Sequence, residues 1–182
     1  MEKRSLILGL MLCFVGFMFG QNKQFGMDTA FYYAKVDTNF VFNESKEIII
    51  PRTNVQIQVP EHFIVVEEIP GLVNPASSTS FEFKEYSGTS YIMLDRNIMQ
   101  QDFEAQSVTF VRREDFVAKN GMTGFMYEFE FEIDGVAYSR LTLVAGDYHN
   151  TVWINVNLLK TFKKKLTSLV EECLKTTKII TT

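Results

Sequence analysis

The alternation of apolar and polar residues is sharpest between residues 123 and 157. Tyr127, Phe129, Phe131 and Ile133 alternate with Met126, Glu128, Glu130 and Glu132. A period of two predicts a strand with its rings toward a core and its carboxylates in water. Asn120-Gly121 precedes this stretch and Asp134-Gly135 follows it. Both dipeptides tolerate positive φ and predict antiparallel reversals. Ala137 to Val144 reads as the return strand, on which Arg140 is expected to pair with a glutamate across the hairpin. Gly146 to Asn150 predicts another turn, and Thr151 to Asn157 a further strand with Val152, Ile154 and Val156 on one face and Trp153 on the other.

The period then changes. Leu159, Phe162, Leu166, Leu169, Val170 and Cys173 recur every three or four residues, which predicts a helix from about Leu158 to Lys175 with one apolar stripe lying on the sheet. Lys163, Lys164 and Lys165 are assigned mostly to its wet side. Upstream, Glu47 to Ile50 is a short apolar run ended by Pro51, and Val55, Ile57 and Val59 alternate with Asn54, Gln56 and Gln58 as a half-buried strand. Ile64 to Val66 follows the Pro60 turn. Pro70, Gly71, Asn74 and Pro75 read as a loop, Ser80 to Lys84 and Ser90 to Leu94 as two strands split by Ser87-Gly88, and Gln100 to Ser107 as a short helix. Strands followed by one terminal helix predict an antiparallel sheet with helix packed on it, an α+β fold, and no parallel βαβ winding.

The chain begins differently. Glu2, Lys3 and Arg4 lead into an apolar run from Leu6 to Phe19, closed by Gly20 and the polar Gln21 and Asn22. At about 14 residues this run is shorter than the roughly 20 a membrane span needs, so it reads as a cleaved export signal over residues 1–20. The expected location is therefore outside the cytoplasm, in a periplasm or the medium, with a Gram-negative host favoured. Lipidation at Cys13 is disfavoured, because Leu12 is bulky where a lipoprotein signal needs a small residue. Residues 21–45 form an extension rich in aromatics (Phe25, Phe31, Tyr32, Tyr33, Phe40, Phe42) without a clean period. It is read as laying rings on the domain, the alternative being a partner-binding arm. Residues 46–178 are assigned to a single domain.

Charge and chemistry narrow the function by exclusion. The chain has 18 basic and 22 acidic residues, and this acidic balance argues against nucleic acid as a partner. With residues 1–20 removed, Cys173 is the remaining cysteine, so an internal disulfide is excluded; its place on the apolar stripe predicts a buried, inert thiol. His62 and His149 lie in separate turns, too few ligands for zinc. No Gly-x-Ser-x-Gly elbow or equivalent nucleophile setting occurs. Glu128, Glu130 and Glu132 are explained by a solvated strand face, Asp147-Tyr148-His149-Asn150 by turn chemistry, and Lys163 to Lys165 by a solvated helix face. No catalytic, cofactor-binding or metal-binding residue is therefore assigned, and no partner-binding residue is identified.

Ile50-Pro51-Arg52-Thr53-Asn54-Val55, Val59-Pro60-Glu61-His62-Phe63, Asn120-Gly121-Met122-Thr123-Gly124, the Asp134-Gly135 hairpin and the strand-to-helix ending from Trp153 to Leu174 together resemble the PsbP-like superfamily over roughly residues 46 to 178. That group includes the extrinsic PsbP subunit of photosystem II, a Ran-binding nuclear import factor and many exported bacterial proteins. The resemblance implies an α/β/α sandwich with a mostly antiparallel central sheet of about six or seven strands, helices on both faces and a C-terminal helix packed on it. It supplies no catalytic motif and no cofactor. The function it implies is a non-enzymatic accessory or protein-interaction domain of the cell envelope, with an unidentified envelope protein as partner; the alternative is a small-molecule or lipid carrier.

Overall fold

A computed structural model of the chain describes residues 47–60, 63–66, 69–98 and 107–180. The export signal, the extension over residues 21–45, His62 and the helix expected up to Ser107, apart from Ser107 itself, lie outside the described residues. In chain order the elements are β1 (Glu47–Ile49), β2 (Val55–Gln58), β3 (Ile64–Val66), β4 (Gly71–Asn74), β5 (Thr79–Ser87), α1 (Tyr91–Asp95), β6 (Thr109–Val117), β7 (Thr123–Ile133), β8 (Val136–Gly146), β9 (Asn150–Leu159), α2 (Lys163–Lys175) and β10 (Lys178–Ile179).

Seven strands form one antiparallel sheet in the order β3-β4-β5-β9-β8-β7-β6, with α2 on one face and α1 on the other, an α+β sandwich. The β7–β8 hairpin is paired over its whole length, from Ile133↔Val136 to Thr123↔Gly146. Asp134 and Gly135, at φ 50° and 77°, turn it, as the Asp-Gly dipeptide requires. A second sheet, β1-β2-β10, has no counterpart in the sequence pattern: shortly after α2 the chain pairs with β2, Lys178 opposite Gln56 and Ile179 opposite Val55. Glu47 closes its outer side by accepting from Gln56 Nε2 (2.7 Å) and Lys178 Nζ (2.9 Å).

The core lies between the large sheet and α2. Phe81, Phe83, Leu141, Leu143, Val152, Ile154 and Val156 meet Leu166, Val170, Cys173 and Leu174 from the helix. Burying this stripe is what keeps so short a helix in place, since its intrinsic propensity alone would not.

Four expectations are corrected. Ser90 to Leu94 is not a strand: the Ser90 side chain accepts from Met93 N (3.3 Å) and caps the one-turn helix α1, whose buried residue is Leu94. Gly71 to Asn74 is not a loop but β4, because Asn74 Oδ1 accepts from Ser77 N (3.1 Å) and moves the turn to residues 75–78. The C-terminal helix starts at Lys163, since Leu158 and Leu159 still pair with Ser139 and Tyr138 as the end of β9. Finally, the glutamates of β7 do not all face water. Cross-strand pairs share a face, so Met126, Glu128 and Glu130, opposite Leu143, Leu141 and Ser139, stand on the α2 face; Tyr127, Phe129 and Phe131 line the other. Glu128 is only 4 % exposed, whereas Glu132 is exposed. Where helices cover both faces of a sheet, a period of two no longer marks the wet side.

Candidate functional site

On the face opposite α2, consecutive rows of β8, β9 and β5 carry polar side chains at matched positions. Register puts Arg140, Asn157 and Ser80 in one row, Thr142, Asn155 and Glu82 in the next, and Val144, Trp153 and Lys84 in the third. Arg140, Asn155 and Asn157 are 4–5 % exposed and Thr142 is fully buried. A buried polar group costs free energy unless hydrogen-bonded, and the rows are joined accordingly. Arg140 Nε donates to Asn157 Oδ1 (2.7 Å), and Asn157 Nδ2 donates to Ser80 Oγ (3.2 Å). Thr142 Oγ1 (2.8 Å) and Trp153 Nε1 (2.9 Å) both donate to Asn155 Oδ1. The Arg140 guanidinium also lies 4.9 Å from the centre of the Phe131 ring, which stacks on Tyr138.

Burial sets the charge state of this seam. It lowers the Arg140 guanidinium to about 10, against the opposing field of Glu82. It pushes the Glu82 carboxyl above the ordinary glutamate range, against Arg140, the Asn155 amide and Lys84. Burial thus works against the charged form of both groups while each one's field favours the charge on the other, a perturbed pair of a kind more common at binding sites than on solvated faces. The anticipated pairing of Arg140 with a glutamate of β7 is corrected: Arg140 sits opposite Phe129 and points away from Glu128 and Glu130.

Beside the seam, α1 is anchored by Asp95. Arg113 donates to its two oxygens at 2.9 and 3.1 Å, the Tyr127 hydroxyl donates to Oδ1, and the guanidinium lies 3.7 Å from the Phe125 ring centre. Burial and then Asp95 push the Tyr127 phenol above its ordinary range.

The other residues weighed in the sequence are dispersed. His149 is exposed in the β8–β9 turn, where its N–H and that of Asn150 donate to Asp147 Oδ1, both at 2.6 Å. Those bonds hold Asp147 below the ordinary aspartate range. Among the described residues no three His, Cys, Asp or Glu side chains gather as a metal site. Lys164 and Lys165 are exposed, but Lys163 Nζ reaches Glu128 (2.6 Å) and Glu130 (2.8 Å). Cys173 is fully buried, and burial pushes its thiol up to about 12. In the chain lacking residues 1–20, a thiol-reactive disulfide reagent at about pH 8 should therefore label Cys173 only at the rate of unfolding, at least about a hundredfold slower than in denaturant. Rapid labelling of the native protein would show the thiol to be accessible.

Sequence reasoning singled out Trp153 and Arg140 but passed over Ser80, Glu82, Thr142, Asn155 and Asn157. Their signal was the polar half of an alternation, which normally denotes solvent.

No described helix is long and apolar enough to cross a membrane. No sequence-family model and no curated protein matches the chain. Solved structures do. Cyanobacterial PsbP (CyanoP) from Synechocystis superposes with a TM-score of 0.55 at 9 % identity, over 74 % of this chain and 92 % of that one. A Pseudomonas aeruginosa protein of unknown function, described as a putative regulator, gives 0.50 at 9 % identity over 75 % and 98 %. LpqN of Mycobacterium tuberculosis, a protein involved in cell envelope biogenesis, gives 0.50 at 11 % identity over 70 % and 83 %. Identities this low speak to architecture alone. With the seven-stranded antiparallel sheet and a helix on each face, they establish that the chain has the PsbP-like fold.

Proposed function

We propose that this protein is exported and serves, without catalysis of its own, as an accessory domain that binds another protein of the cell envelope. The observation that carries this reading is the leader: a charged start, an apolar run from Leu6 to Phe19, then Gly20 and polar residues. The fold agrees with it, being shared with CyanoP and with LpqN, whose described role is in cell envelope biogenesis. The test has two steps. Intact mass of the protein recovered from the envelope and periplasmic fractions of its host should show a chain beginning near Gln21. Cross-linking and affinity capture of that form should then return one reproducible envelope protein, lost when residues 21–45 are removed. A chain retained in the cytoplasm at full mass would defeat the export reading; capture unchanged by the deletion would remove the extension from it.

A second reading, a carrier of a small polar molecule or lipid, is favoured by the buried seam of Arg140, Asn155, Asn157 and Trp153, because convergent polar groups framed by rings are how such sites fix a ligand. A co-purifying compound in native mass spectrometry, released by Arg140→Met, would support it.

A further inference from the structure

The two ends of α2 are held by different kinds of bond. At the C-terminal end backbone groups take part in the attachments: Lys119 N donates to Lys175 O (2.7 Å), Gln58 N donates to Thr176 Oγ1 (2.9 Å), and β10 pairs with β2, where Lys178 Nζ also meets Glu47 (2.9 Å). Val170, Cys173 and Leu174 are buried there as well. The N-terminal half has one buried apolar residue, Leu166, with Phe162 and Leu169 partly buried beside it. The polar bonds from the helix to β6 and β7 are ionic. Lys163 Nζ contacts Glu128 (2.6 Å) and Glu130 (2.8 Å), and Glu171 accepts from Arg112 (2.7 Å). Arg112 itself contacts Glu128 (2.6 Å) and Glu114 (2.6 Å), and Lys160 contacts Glu130 (2.7 Å). Glu128 is thus the shared, buried member, touched by both cations through which α2 is tied to these strands.

We infer that α2 is a hinged cover, fixed over its C-terminal half by buried side chains, strand pairing and the Glu171–Arg112 bond, and latched at its N-terminal end by Lys163 on Glu128 and Glu130, so that neutralising these two carboxylates frees the front of the helix alone. The groups facing Glu128 are Arg112 and Glu114 from β6, Glu130 from its own strand, Ser139 Oγ from β8 (3.3 Å), and Lys163 and Glu171 from α2. Burial by itself would raise the Glu128 carboxyl, but the bonds from Lys163 and Arg112 outweigh it and hold it below the ordinary range; Lys160 and Lys163 do the same for Glu130. Groups depressed in this way add stability above the ordinary glutamate pKa of about 4.3 and lose it as pH falls through their lower folded-state values. The latch is closed at neutral pH and opens in acid. Opening exposes Leu166, which at neutral pH belongs to the same buried cluster as Met126 and Leu141.

Hydrogen exchange on the folded chain, read by mass spectrometry at steps from about pH 7 down to about pH 2 and corrected for intrinsic rates, tests this. The expected result is at least about tenfold faster exchange of residues 163–170 in acid, with residues 171–176 and β7 to β9 still protected. Lys163→Met, a substitution at a half-buried position, should give the same front-specific acceleration at neutral pH and leave little further change in acid. Glu128→Gln should behave alike if it folds. Acceleration that is uniform along α2 and the sheet, no acceleration in acid, or a Lys163→Met variant protected like the parent would each overturn the latch.

Discussion

Replacing Gly124 with alanine is expected to destabilise the domain by ~3 kcal/mol or more, a large share of the roughly 5–15 kcal/mol that holds a domain together. Gly124 stands between Phe116 on β6 and Ala145 on β8. A Cβ there would lie 2.3 Å from Val144 O and 2.5 Å from Ala145 Cα, distances that real Cβ atoms do not show. The obstacle is backbone, so no side-chain rotation relieves it, and the two longest paired strands must part. The melting temperature should fall by ~10 °C. Combining Gly124→Ala with Ala145→Gly removes the Cβ–Cβ clash at 2.5 Å but leaves the carbonyl, so recovery should be partial. A single variant melting within about 2 °C of the parent would show that the strands can separate at little cost.

The second large effect is expected at Trp153. Its ring is 6 % exposed, tilts against Tyr86 at 6.4 Å and donates through Nε1 to Asn155. Trp153→Ala should cost ~3–5 kcal/mol through lost burial and a cavity. Trp153→Phe keeps most of the apolar contact and removes one donor, but Asn155 Oδ1 still accepts from Thr142. Its cost should be nearer ~1 kcal/mol from the hydrogen bond, together with a packing loss. Denaturant unfolding followed by far-ultraviolet circular dichroism separates the two, since the chain has a single tryptophan and both variants lose its fluorescence. Equal costs for alanine and phenylalanine would mean that the ring's area contributes little and the seam is held by its polar bonds.

Both effects concern features that differ in how far they could be read from residues alone. The Asp134-Gly135 hairpin, the strands around it and the apolar stripe of Leu166, Val170 and Cys173 were legible, because turn stereochemistry and periodicity act over a few neighbouring residues. The one-turn α1 was not. Ser90 is as compatible with a strand as with a cap until Met93 N turns toward it. Gly124 reads as a mere turn neighbour in the sequence, whereas its role comes from the close approach of β8.

The candidate site shows the same division more sharply. Arg140 and Trp153 stood out by type, but Asn155, Asn157, Thr142 and Glu82 looked like the wet half of ordinary alternating strands. Glu128 reads as solvent-facing in the sequence for the same reason.

From the sequence alone, what followed was the α+β class, the main hairpin, the terminal helix and an address, since each depends on local pattern or composition. Only the tertiary structure decided which half of each alternation was dry, which carboxylate met Lys163 and Arg112, and where the polar seam lay. A strand's period of two separates its faces without saying what will cover either one, and the covering elements here come from distant parts of the chain.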